Sequence, residues 1–169
     1  LMLHQGDGIP QNKAQAAALY GRAAEQGVPL AFLPHAELLS ELGRYDLAYA
    51  SYQRAEDAGS VEAAYRKGVL LHKGLGVAAD PAAALAQYQK AAEAGLPLAQ
   101  QQLGVMTTLG DPQLGLVSDP GTGIALLEQA GEQGFAPALM ELAYLYDGAL
   151  VVDNQVLVEK DQARALSYL

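Results

Sequence analysis

The stretch Ala63 to Gly95, AAYRKGVLLHKGLGVAADPAAALAQYQKAAEAG, sets the pattern for the whole chain, because the residues before and after it can be laid over it again and again. Asp80 followed by Pro81 is a helix start: a carboxylate accepts from the unpaired N–H groups of a first turn, and proline fits the first helical position, where no donor is needed. From there Ala84, Leu85, Tyr88, Ala91 and Ala92 form a single apolar stripe, and Gly95 supplies the left-handed residue that ends the helix. Upstream, Ala64, Gly68 and Leu71 recur at helical spacing, and the glycines of HKGLGV separate the two segments. The unit predicted is a helical hairpin.

Working outward, the terminal glycine recurs as Gly27, Gly59, Gly95 and Gly134, followed in strict register by Ala31, Ala63, Ala99 and Ala138. At a constant distance ahead of each glycine stands Tyr20, Tyr52, Tyr88 or Leu127, with Leu169 as the fifth such position. The steps between these positions lengthen, at 32, 36, 39 and 42 residues. Helices that pack on one another keep their length, so the growth is expected in the loops. From the first-helix alanine to the start of the second helix there are 13 residues for Ala31 to Arg44, 17 for Ala63 to Asp80, 20 for Ala99 to Asp119 and 23 for Ala138 to Asp161. The chain divides into units of about 1–30, 31–62, 63–98, 99–137 and 138–169, one array that starts inside a first helix and stops inside a second, as a fragment of a longer protein would.

Individual units depart from the pattern. Pro34 kinks the first helix of the second unit unless that helix begins there, and the loop of that unit is only LGRYDLA. In the fourth unit, Gly121 and Gly123 weaken the second helix by about 1 kcal/mol each relative to alanine. ALVVDNQVLVEKD in the fifth is rich in β-branched residues and is expected to be a loop with at most a short extended excursion.

Composition narrows the function classes. With 51% hydrophobic residues the chain can bury a core, and its net charge of −9 argues against nucleic acid and anionic lipid as partners. Without cysteine there are no disulfides and no thiolate chemistry, and the compartment stays open between periplasm and cytoplasm. No run of 18 apolar residues is present, so direct membrane insertion by this fragment is not expected.

The pattern AxxxxGxxLxxGxGVxxDxxxAxxxYxxAAExG across Ala63 to Gly95 resembles the Sel-1-like repeat, a relative of the tetratricopeptide repeat, and the match extends in weaker form over essentially the whole chain. Lys67 stands where that pattern prefers leucine, and His35 holds the same place in the second unit. The resemblance implies an all-α fold, an α–α superhelix of about four and a half Sel-1-like, tetratricopeptide-like helical hairpins. It also implies first helices lining a concave face, and use as a non-catalytic scaffold in protein complexes, often in bacterial envelopes, secretion or signalling.

His4 and His72 occupy equivalent positions two repeats apart, far beyond the ~2 Å reach of a metal–nitrogen bond, so no metal site is expected. The GxG of HKGLGV and HQGDGI follows a helix rather than a strand and reads as a turn, not a nucleotide loop; no cofactor is expected. GxSxG, HExxH and GxxxxGK are absent. Glu25, Glu56, Asp57, Glu93 and Glu132 read as solvated last-turn positions. On a first helix buried through 64, 68 and 71, the adjacent face carries Tyr65, Val69 and His72; its counterparts are Leu33, Glu37 and Ser40, then Gln101, Val105 and Thr108, then Met140, Tyr144 and Asp147. This strip is the candidate contact surface for a protein or peptide, above all Tyr65, Val69, His72, Gln101, Val105, Met140, Tyr144 and Asp147. The competing class is an enzyme, or a domain regulating one, with a polar cluster in the concave groove.

Overall fold

The computed structural model describes residues 12–152 and 155–169; His4 and the rest of residues 1–11 lie outside them. The chain separates into two compact units, Leu1–Gln87 and Tyr88–Leu169.

In the first unit α1 (Lys13–Glu25) is followed by a 3-10 turn (Pro29–Ala31), α2 (Phe32–Glu41), α3 (Tyr45–Asp57) and α4 (Val61–Lys73). α5 (Pro81–Glu93) begins in the first unit and ends in the second. Pro34 falls at the third position of α2, inside the first turn, where no amide donor is required, and the helix takes it without a break. Ala24, Ala36, Leu39, Ala48, Tyr52, Ala55 and Ala63 form the core of this unit. The second unit contains α6 (Pro97–Leu109), α7 (Pro120–Glu132), α8 (Ala136–Asp147), two short strands and α9 (Gln162–Ser167). Its core gathers Leu127, Ala130, Ala138, Leu142, Tyr146, Val158 and Ala165.

The helix boundaries follow from local chemistry. Asn12, Asp80, Asp119 and Asp161 each accept from the backbone N–H three residues on, at 2.9 to 3.1 Å. Gly27, Gly59, Gly95 and Gly134 all take positive φ, between 77° and 93°. One further hydrogen bond unites the hairpins. The N–H of Arg44, Asp80, Asp119 and Asp161 returns to the carbonyl of Leu39, Leu71, Thr107 and Tyr146, respectively, at 2.8 to 3.1 Å. These four carbonyls share one register position, so loops of growing length are closed by the same bond.

The glycines of HKGLGV have separate tasks. Gly74 caps α4 in the left-handed region, whereas Gly76 lies so close to Tyr45 and the N–H of Asp46 that a β-carbon there would collide with both. A similar constraint acts on α7: any side chain at Gly123 would strike Thr108 and the carbonyl of Gly104 on α6. Gly123 is thus the condition for α6 and α7 to pack closely, which offsets its poor helix propensity.

The connection after α8 is not the expected loop. Leu150–Val152 and Gln155–Val158 pair as an antiparallel hairpin, β1 and β2, with a bulge between Leu150 and Val151. β-Branched residues suit the pleated backbone, and Val158 anchors the hairpin in the second unit's core. Leu169, expected to repeat the buried position of Leu127, lies beyond the end of α9 and is 84% exposed.

Candidate functional site

The strip residues separate by burial. In the first unit, Val69 and His72 of α4 are half-buried, but Tyr65 retains only 7% of its surface and lies inside. α4 buries Ala63, Ala64, Tyr65, Lys67, Gly68, Leu70 and Leu71, a far wider band than the single stripe read from the sequence. The guanidinium of Arg66 lies 5.9 Å from the centre of the Tyr65 ring, and burial pushes the phenol's pKa above its ordinary value. Tyr65 is accordingly a packing residue, a correction to its placement on an open face.

In the second unit the same register is open. Tyr144 on α8 is 70% exposed and Met140, one turn earlier, 49%. On one side of Tyr144 a cleft of about 330 Å³ runs between α8 and α9, lined by Met140, Asp147, Leu166 and Leu169 among others. On its other side a smaller cleft of about 210 Å³ is bounded by Val105 and Leu109 of α6. Four of the expected residues, Val105, Met140, Tyr144 and Asp147, therefore meet around one ridge. Gln101, on α6, is half-buried and does not line either cleft. Leu166 and Leu169 were missed as lining residues; their only sequence signal is an apolar register position without a covering helix.

α9 is clamped in place, which gives the larger cleft a fixed wall. Arg164 bonds Glu128 of α7 at 2.9 Å and lies over the Tyr146 ring at 4.3 Å, while the Tyr168 hydroxyl donates to the same Glu128 at 2.8 Å. Tyr146 and Tyr168 stack with ring centres 6.1 Å apart.

Polar groups elsewhere serve the fold. Lys67, with 4% of its surface exposed, donates to Glu56 at 2.6 Å and to Gln53, and its ammonium lies 5.4 Å from the centre of the Tyr49 ring. Glu56 is thus half of a buried ion pair between α3 and α4, not a solvated last-turn carboxylate. Gln100 is buried on α6, donates to the Ala92 carbonyl and to Gln129, and accepts from Gln133 at 2.7 Å. Among the described residues no group of three or more His, Asp or Glu side chains could hold a metal ion, and no helix is long and apolar enough to cross a membrane.

The family model described as Sel1 repeat matches residues 1–28, 61–96, 97–135 and 136–169; residues 29–60, which hold Pro34 and the shortest loop, fall outside it. A sequence comparison with curated proteins gives no match. Among solved structures, the Sel1 repeat protein from Oxalobacter formigenes is similar with a TM-score of 0.78 at 23% identity, covering 99% of this chain and 47% of that one. The c5321 protein, a protective antigen present in uropathogenic Escherichia coli strains and displaying an SLR fold, is similar at 0.59 and 25%, covering 99% and 42%. This chain therefore spans less than half the length of either. The fold class is all-α, the α–α superhelix of helical hairpins, and Sel1 repeats are generally non-catalytic protein-interaction scaffolds. On the extent of the family match, the chain belongs to the Sel1 repeat family.

Proposed function

We propose that this chain is a non-catalytic adaptor in a bacterial multiprotein assembly of the envelope, secretion or signalling kind, and that it holds a protein or peptide partner on the α8 ridge. The observation that carries this reading is Tyr144: a large aromatic ring, 70% exposed, flanked by two apolar clefts whose walls are fixed helices. An exposed aromatic beside preformed pockets is the arrangement that concentrates binding energy at protein interfaces. Met140 adds an adaptable apolar contact, Asp147 a polar limit at the helix end, and Val105 the floor of the smaller cleft. Gln101, half-buried in the same unit, is assigned a secondary contact; Val69 and His72, half-buried on α4 of the first unit, are kept as candidate contacts of that unit by itself.

The test is a photo-crosslinking residue in place of Tyr144 in the source cell, followed by purification of the protein that it captures. Tyr144→Ala should weaken binding of that purified partner by about tenfold or more while leaving the melting temperature in place. A partner that crosslinks elsewhere and ignores Tyr144→Ala would remove the ridge from the interface.

A further inference from the structure

The first unit holds a second candidate surface, remote in register from α8. α1 and α3 both pack on α2, and between them lies a cleft of about 550 Å³. Its origin is legible by comparing equivalent positions in the next hairpin. There Tyr49, Gln53, Glu56 and Lys67 fill the space; here the same register holds Ala17, Gly21, Ala24 and His35. Each of the four is smaller. His35 Nδ1 lies 3.0 Å from Ser51 Oγ, and its Nε2 faces Gly21 so closely that a β-carbon there would stand 3.0 Å away.

Ala17, Gly21 and Leu39 provide an apolar floor, the more exposed Ala18 and Ala50 flank it, and the rim is cationic. Arg22, Arg44 and Arg54 border the cleft, three of the five arginines in a chain whose net charge is −9, while Glu25 is the one acid among its lining residues. Arg54 is anchored over the Phe32 ring at 4.4 Å and donates to the Ala24 carbonyl. Among the described residues neither Arg22 nor Arg44 is engaged in an ion pair.

We propose that this cleft between α1 and α3 is a docking groove for an acidic peptide segment of a partner protein, with carboxylates on the arginine rim and short aliphatic side chains on the alanine floor. Guanidinium forks match carboxylates in two-bond geometry, and the apolar floor gives an extended peptide an advantage over a bare anion. A polyanion such as nucleic acid is disfavoured by the acidity of the rest of the surface. The inference rests on the scaffold reading but not on the α8 ridge, so each can fail alone.

The probe is a short fluorescein-labelled peptide alternating glutamate with alanine or leucine, followed by anisotropy against the intact chain. Binding that weakens with added salt is expected, together with losses of about tenfold for Arg22→Ala and for Arg44→Ala. Ala50→Leu, an exchange between two good helix formers on an exposed site, should block the groove without lowering the melting temperature. Tyr144→Ala should leave the peptide's affinity unchanged. The proposal is overturned if the peptide does not bind, if a glutamine-for-glutamate peptide binds equally well, if inorganic phosphate competes at the same concentration as the peptide, or if Ala50→Leu and the arginine variants bind as tightly as the parent.

Discussion

Two neighbouring intervals of the first unit solve the same packing problem in opposite ways. Where α4 meets α3, Lys67 reaches back into a pocket of Tyr49, Gln53 and Glu56 and is buried with its charge satisfied. Where α2 meets α1, His35 occupies the same register and faces Gly21, with Ala17 beside it, so the space remains open as a cleft. The second unit shows a third solution: Leu142 at this position is fully buried in an apolar core. This position of the first helix, together with the residues that face it from the preceding second helix, thus sets whether an interval is closed by an ion pair, closed by hydrocarbon or left open. The backbone of the hairpin, with its shared closing hydrogen bond, tolerates all three.

The largest effect that would break this comparison lies in the closed interval. Lys67→Ala leaves the Glu56 carboxylate buried without its cation and should cost about 3–5 kcal/mol, measured by urea denaturation. Lys67→Leu combined with Glu56→Leu imitates the hydrocarbon solution and should fall within about 1 kcal/mol of the parent, since an apolar replacement of a buried pair is often neutral. If the single and double variants were equally damaging, the pair would not be what closes the interval.

Next in size are the aromatic positions. Tyr52 is buried and accepts from Ser40 at 3.3 Å, so Tyr52→Ala should cost about 3–4 kcal/mol, whereas the half-buried Tyr20, its counterpart on α1, should cost about half as much. Equal losses would mean that the first interval is as tightly packed as the second. Tyr65 and Tyr144 extend the contrast to the first helices: Tyr65→Ala should lower the melting temperature by several degrees, and Tyr144→Ala should change stability by less than about 0.5 kcal/mol.

What could be read from the chain alone was whatever depends on near neighbours. Asp80–Pro81, the terminal glycines and the growth of the loops translate directly into caps, left-handed turns and boundaries, because each is decided within a few residues. Tyr65 reads as open in the sequence because one apolar stripe is all that periodicity displays, whereas the band that α4 buries is wider and is set by tertiary packing. Glu56 reads as solvated in the sequence because its partner lies 11 residues away on the next helix. Val158 belongs to a strand because its side chain has a core to enter, a reason not present in ALVVDNQVLVEKD itself. Of the candidate surface, Met140 and Tyr144 were legible from register, while Leu166 and Leu169 required the position of α9. The arginine-rimmed cleft was within reach of the register comparison, but only through four joint reductions in size at positions far apart in the chain.

The smallest expected effect is also the one most specific to the open interval. Burial first, then the nearby Arg54, lower the His35 pKa below its usual 6.5, with Arg44 acting in the same direction and Glu25 opposing. Because the folded imidazole binds a proton less readily than the unfolded one, the unfolded state takes it up first as pH falls. The stability contributed by keeping His35 neutral is therefore complete above about pH 6.5 and declines on acidification from there until the folded pKa is passed. The difference between the parent and His35→Leu isolates this residue. Urea midpoints taken across that range should show His35→Leu losing less stability on acidification than the parent, and the His35 ring resonances should titrate below 6.5. An acidic peptide in the cleft should bring its carboxylates toward the arginines and move that titration upward, whereas an unchanged titration with peptide bound would place the peptide elsewhere on the molecule.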